Sequence, residues 1–328
     1  MVKQITKICE WCGKEFTVPY RKRDKKGCCK QCGIQIRTHS LNYLNSRGSK
    51  RKYDVNDYFL QQECPAKYYV LGLMAADGIL TKDGYIKIWQ ADKEDLGLDL
   101  ITWYKNTLNS QSPIKTCQYK KGRKQFGIQI TSTILYEDFS KHYITPNKTF
   151  TVHIPKYILE DETKLRYYLI GYIDGDGYIG IYQKESGYYT IELDFIGNNI
   201  FTSELLSYIK TNPMSIRINK SNSKVTSMGC SGTSAILFCE WLYKDFDENV
   251  FKSFKTKKAI NYLNNLRTML NPKTYEKYQY RKLCFYFENS QINETDLQKV
   301  SKYFNIDLTR VIYVYNKWRN KNGRSKQI

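Results

Sequence analysis

The chain has 328 residues and a formal net charge of +20, from 52 Lys and Arg against 32 Asp and Glu. With 41% apolar residues, 29 Tyr and 14 Phe, it is too apolar and too aromatic for a disordered polycation, and its length suits about two average domains. No apolar run approaches the roughly 18 residues of a membrane span, so no membrane partner is expected. The opening MVKQITKICEWCGKEF lacks the apolar core of a secretory signal. A cytoplasmic chain is therefore expected, and its ten cysteines read as thiols or metal ligands rather than disulfides.

The excess charge sits at the ends. Residues 1–60 carry a net +9 and residues 273–328 a net +7, which points to basic arms flanking a core and gripping a polyanion. Residues 1–40 read as a four-cysteine zinc module. Cys9 and Cys12 form a C-x-x-C knuckle, and Cys28, Cys29 and Cys32 follow after a basic stretch. Two such groups suit a tetrahedral structural Zn²⁺. The fourth ligand is either Cys28, spaced C-x3-C from Cys32, or Cys29, spaced C-x2-C. Gly13 and Gly33 follow the two clusters, where tight turns need them. Arg21, Lys22, Arg23, Lys25 and Lys26 would be displayed as phosphate contacts. A helix over Ile34–Leu44 and a basic linker over Asn45–Lys52, within a linker region 41–66, complete the arm.

Two segments then resemble each other: YYVLGLMAADGILTKDGYIKIWQ from Tyr68, and YYLIGYIDGDGYIGIYQ from Tyr167. Each is an apolar helix with a mid-helix glycine, Gly72 or Gly171, ending in Asp-Gly at Asp77 or Asp176. Glycine inside a helix costs about 1 kcal/mol relative to alanine, which close approach of two helix backbones would offset. Ala76 and Gly175 would keep that seam tight. Two such helices side by side would bring both carboxylates to one end of the seam, where they repel unless a cation lies between them. Oxygen ligands suit Mg²⁺, and such a centre can activate water against a phosphodiester.

Each segment is followed by a hairpin, a helix, a second hairpin and another helix. The expected elements are 95–108, 114–131 and 133–142 in the first copy, and 199–210, 215–231 and 234–243 in the second. The fold class is therefore α+β, with two αββαββα repeats at 67–150 and 151–272.

VLGLMAADG and LIGYIDGDG resemble the two signature helices of single-chain, two-repeat LAGLIDADG homing endonucleases. The resemblance covers about residues 66–270. It implies saddle-shaped antiparallel sheets straddling a long double-stranded DNA site, a monomer, and metal-dependent hydrolysis leaving 3′ overhangs. Asp77 and Asp176 would bind the catalytic metal. The earlier acid of the motif is Asp174 in the second copy but Ala75 in the first. The cysteine segment is similar to zinc ribbons at the start of some phage-borne endonucleases, which favours Cys28. The host would be a phage-bearing cell or a bacterial or organellar mobile element. The alternative is a cleavage-inactive binder of the same fold, an intron maturase or a transcriptional regulator.

Strand alternation puts Gln125, Gln129, Glu192, Arg217 and Asn219 on outward faces that can reach base edges, with Lys120, Lys121, Arg123 and Lys124 at one hairpin tip and Lys220 and Lys224 at the other. Gln90 is a candidate base or active-site contact, although Ile86 and Ile88 set the alternation against an outward Gln90. A family lysine near the cleavage centre has no secure match: strand positions offer Gln129 and Met228, and Lys93 follows the first hairpin. Helices over 255–270 and 273–289 lead to a tail, 273–328, whose last helices (296–304 and 308–319) have helix-turn-helix spacing, with Arg310, Lys317 and Arg319 offered to DNA.

Overall fold

A computed structural model describes residues 4–9, 14–30, 32–33, 51–92, 96–118, 122, 124–209, 217–222, 225–290 and 292–324. The expected helix at 34–44, most of the linker after it, and Gly13 lie outside the described residues. Among those described, no helix is long and apolar enough to cross a membrane.

The amino terminus is an antiparallel hairpin of β1 (Gln4–Ile8) and β2 (Glu15–Pro19). The body is α+β and duplicated. Helix α1 (Pro65–Ala76) leads to strands β3 (Ile79–Leu80) and β4 (Tyr85–Ala91), helix α2 (Leu96–Thr107), strands β5 (Lys115–Gln118) and β6 (Lys124–Thr131), and helix α3 (Thr133–Lys141). A short α4 (Lys156–Leu159) precedes the second copy. That copy comprises α5 (Glu162–Asp176), β7 (Gly177–Gln183), β8 (Tyr189–Asn198), α6 (Asn199–Ile209), β9 (Arg217–Asn222), β10 (Val225–Ser231) and α7 (Thr233–Leu242). The two four-stranded antiparallel sheets run β3-β4-β6-β5 and β7-β8-β10-β9, the same order in each. The chain closes with α8 (Phe254–Asn264), α9 (Leu266–Met269), α10 (Pro272–Asn289), α11 (Leu297–Phe304) and α12 (Leu308–Arg324).

Local chemistry sets these boundaries. Pro65 opens α1, where a missing N–H costs nothing. Asp161, Ser132, Ser253 and Asn271 cap α5, α3, α8 and α10 by accepting from backbone N–H groups of the first turns. On β4, Ile86 and Ile88 face the helices while Lys87 and Trp89 are only half-buried, the alternation of a sheet with one covered face.

Among the described elements, helices α1 and α5 form the most extensive packing contact. Ten consecutive residues of α1, Lys67–Ala76, are buried, as are Leu165–Asp174 of α5. A helix buried on all sides lies at the centre of a core. One apolar core runs from Val55 to Tyr278 through both repeats, and a second, separate one joins α10, α11 and α12.

The two glycines sit at the crossing and are used reciprocally. A Cβ on Gly72 would lie 1.8 Å from the Tyr168 carbonyl oxygen, and one on Gly171 would lie 2.0 Å from that of Tyr69. Further along, a Cβ on Gly175 would meet Ala76 Cβ at 2.4 Å. The contacts of Gly72 and Gly171 are with backbone, which cannot rotate away. Gly72→Ala or Gly171→Ala is therefore expected to force the helices apart and cost about 3 kcal/mol or more. Urea unfolding measures it, and a loss below about 1 kcal/mol would mean the backbones are not in contact.

Candidate metal and phosphodiester site

Asp77 is the C-cap of α1 and Asp176 the last residue of α5, so the helix pair delivers both carboxylates to one end of its seam. Burial raises the Asp77 pKa to about 6, and the negative charge of Asp176 is the second cause. Asp176 is more open to solvent, and burial again pushes its pKa up. The side-chain amide of Gln90 donates to Asp77 Oδ2 at 2.6 Å. Gln90 is only 8% exposed and shares the covered face of β4 with Ile86 and Ile88. It therefore faces inward beside Asp77 rather than outward, because alternating positions of one strand face the same way.

Two lysines that the sequence did not single out complete the site. Lys148 Nζ donates to the Ala76 carbonyl at 2.7 Å. Lys255 Nζ donates to the carbonyls of Ile173 at 2.6 Å, Asp174 at 3.2 Å and Gly177 at 2.9 Å. Each lysine follows the last helix of its own repeat and places its charge at the C-terminus of that repeat's buried helix, where a cation is favoured. Burial lowers the Lys148 pKa, while Asp176 and Asp77 pull it back up. Of the strand positions offered for a lysine, Met228 is fully buried in the core and Gln129 lies on the outer face. Lys93 lies outside the described residues.

The halves are not equivalent. Ile79 pairs with Lys87 and Tyr178 with Asp194, so the position matching Gln90 is Gly197. Asp176 therefore has no counterpart of the Gln90 amide. A second asymmetry lies inside the helix pair. Tyr69 Oη donates to Asp174 Oδ2 at 2.6 Å, and Ser253 Oγ donates to Asp174 Oδ1 at 2.6 Å. Tyr168 matches Tyr69, but Ala75 stands where its acceptor would be, and the buried Tyr168 hydroxyl has no hydrogen-bond partner among the described residues. Tyr69→Phe is expected to cost about 1–3 kcal/mol, whereas Tyr168→Phe is neutral or stabilising by up to about 1 kcal/mol. Urea melts of the two variants decide it, and equal losses would contradict the asymmetry.

The raised Asp77 pKa has a thermodynamic sign. A carboxyl that holds its proton more tightly when folded contributes stability below its unfolded value, near 3.8, and loses it as pH rises through about 6. In chelator at pH 7.5, Asp77→Asn should melt above the parent, and the difference should vanish near pH 4. A lower melting temperature for the variant at pH 7.5 would contradict this. Two carboxylates brought to one end of the seam suit a divalent cation, which would relieve the part of their repulsion that Gln90, Lys148 and Lys255 do not offset.

At the amino terminus the Sγ atoms of Cys9, Cys28 and Cys32 lie within 4.8 Å of one another, with Cys28 and Cys32 at 3.6 Å. Four thiolates about 2.3 Å from a zinc ion stand roughly 3.8 Å apart, so this cluster fits zinc. Cys29 is exposed and accepts from the Cys32 backbone N–H at 3.4 Å. The C-x3-C spacing is the one that converges. Cys12 lies outside the described residues. Arg21, Lys22, Arg23, Lys25 and Lys26 are exposed beside the hairpin.

On the first sheet's outer face, Gln125 and Gln129 are half-buried, and Lys124, at the start of β6, is exposed. A hollow of about 290 Å³ there is lined by Lys52, Tyr53, Tyr85, Lys115, Gln129 and Thr131. On the second sheet Glu192 is half-buried, and Arg217, Asn219 and Lys220 stand on β9 opposite Gly229, Ser227 and Thr226. Lys120, Lys121, Arg123 and Lys224 lie outside the described residues. In the tail, Lys317 lies over the Tyr280 and Tyr313 rings, Arg319 is ion-paired with Glu294 at 2.5 Å, and Arg310 donates to the Glu276 carbonyl at 3.3 Å.

No family model matches the chain, and no curated protein matches it. Solved structures similar to it include the LAGLIDADG meganuclease I-AabMI bound to uncleaved DNA, at 13% identity and a TM-score of 0.41, covering 67% of this chain and 98% of that one. I-DmoI in complex with DNA and Ca matches at 14% identity and a TM-score of 0.40, over 63% and 99%. Full-length DUF199/WhiA from Thermatoga maritima matches at 13% identity and a TM-score of 0.37, over 82% and 96%.

Proposed function

We propose that the chain is a site-specific double-stranded DNA endonuclease that hydrolyses phosphodiesters with Mg²⁺ held by Asp77 and Asp176, leaving 3′ overhangs. The observation that supports this reading is that the buried helix pair ends in two carboxylates close enough for Asp176 to raise the Asp77 pKa, against the opposing pull of Gln90, Lys148 and Lys255, in a chain of net charge +20. Structural zinc at Cys9, Cys12, Cys28 and Cys32 would hold residues 1–40 as a basic module. Residues 67–150 and 151–272 would act as the two half-site readers of a monomer, and 273–328 as a further DNA-binding unit.

Mg²⁺ bound there supplies Lewis-acid charge and an acidified water. The protein's own groups do the rest. Gln90 occupies one oxygen of Asp77 and fixes the carboxylate's orientation. Lys148 and Lys255 hold positive charge at the ends of the two helices, where charge developing on the scissile phosphate meets a fixed field that needs no reorganisation. The half-buried Gln125, Gln129 and Glu192, and Arg217 and Asn219 by their alternation in sequence, suit base-edge contacts, with glutamate accepting from cytosine N4, and Lys124 suits phosphate.

The test is to incubate the purified full chain and Mg²⁺ with a randomised duplex library and to sequence the broken ends. Recurrent ends with 3′ overhangs around a shared sequence, absent in chelator, are expected. Selective binding without breakage would instead make the chain a regulator.

A further inference from the structure

Helices α10, α11 and α12 pack on an apolar core of their own: Leu283, Phe287, Leu297, Val300, Ile306, Val311, Val314 and Tyr315. The turn between α11 and α12 is three residues. Asn305 takes the left-handed conformation, at φ 50°, and ends α11. Ser301 Oγ donates to the Ile306 carbonyl at 2.7 Å, and Asp307 Oδ1 accepts from the Arg310 N–H at 3.2 Å, so the turn is fixed from both sides. Inside, Val311, Val314 and Tyr315 pin one stripe of α12. Outside, Thr309, Ile312, Tyr313, Asn316 and Lys317 form a continuous exposed face, with Ile312 41% and Tyr313 52% exposed. Arg310 is bonded to the Glu276 carbonyl, and Arg319, paired with Glu294, is exposed at the edge of that face.

Charge selects the occupant. The sequences of α11, LQKVSKYF, and α12, LTRVIYVYNKWRNKNGR, hold Lys and Arg but no Asp or Glu. A second copy of this surface would set like charges against each other. A polyanion neutralises them, and an α-helix fits the major groove of duplex DNA. We infer that α12 is a recognition helix for a second block of DNA sequence, separate from that under the two sheets. Asn316 suits an adenine edge, Tyr313 and Ile312 a thymine methyl, Thr309 either base, and Lys317 a phosphate. The inference does not require cleavage, because it uses no residue of the carboxylate centre.

The test selects binders from a random duplex library with the full-length protein in chelator, comparing wild type with Tyr313→Ala/Asn316→Ala. Wild type should return two information-bearing blocks. The double variant should lose the outer block, keep the central one and bind the wild-type selection about tenfold or more weakly. Both altered side chains are exposed, so melting should be unchanged. As a second variant, Asn316→Gln should change the preferred base within the outer block and leave the central block alone. Identical blocks for wild type and the double variant, or a wild type with no outer block, overturns the inference. So does a wild-type dimer that the double variant dissolves without changing the selected sequence. Loss of the central block in every protein would instead count against the sheets as DNA readers.

Discussion

Asp77→Asn and Asp176→Asn should each abolish double-strand cleavage, by about a thousandfold or more, while DNA affinity stays within a few-fold of wild type. Asparagine is nearly isosteric and still accepts a hydrogen bond from Gln90, so the packing around α1 and α5 survives. What is lost is one negative charge at the only place where the two helices present a pair of them. Several kcal/mol of transition-state stabilisation depend on a cation held there, and each ~1.4 kcal/mol is tenfold in rate. Asp174→Asn separates charge at this centre from acidity in general. Asp174 is fully buried with Tyr69 and Ser253, so its loss should lower stability and leave cutting in place. Retained cleavage by either Asp77→Asn or Asp176→Asn would remove the mechanism.

The second large effect lies at the other end of the chain. Among the described residues before position 34, the buried apolar side chains are Val18 and the cysteines Cys9 and Cys32. That is far too little apolar surface to hold a hairpin and turn together, so a cross-link must. Structural zinc in such small modules contributes apparent free energies of about 10–16 kcal/mol. Cys9→Ser, Cys28→Ser or Cys32→Ser should therefore release the metal and unfold the module, seen as rapid proteolysis near Arg21–Lys26. Cys29→Ser should keep one zinc per chain and resist the protease. Metal analysis of the four variants checks this, and zinc loss on Cys29→Ser with retention on Cys28→Ser would reverse the ligand choice.

Much of the body was legible because it rests on patterns. Duplicated apolar helices with an interior glycine announce a close helix pair, and alternation announces one-sided sheets. The expected helix and hairpin limits fall within a few residues of those observed. What the sequence hid depends on distant parts of the chain. Lys148 and Lys255 reach the centre from beyond the last helix of each repeat, and an isolated lysine has no periodicity to betray it. Gln90 read as either a base or an active-site contact, and its place with Ile86 and Ile88 on the covered face, donating to Asp77, is what the fold adds. Cys28 and Cys29 could not be separated by spacing alone, since the choice depends on which sulfur the turn points inward. The change from Asp to Ala at position 75 looked neutral, yet it leaves the Tyr168 hydroxyl stranded across the helix pair. Arg310 and Arg319 read as DNA contacts from charge, while the Glu276 carbonyl and the Glu294 carboxylate that they bond could not be read from spacing.

The most direct measurement is a crystal structure of the protein on its selected DNA, soaked with Mn²⁺ and recorded at the manganese edge. Anomalous density bonded to oxygens of both Asp77 and Asp176, beside a backbone phosphate, is the expected result. Manganese bound elsewhere on the protein, with the two carboxylates lacking a shared ion, would contradict the account.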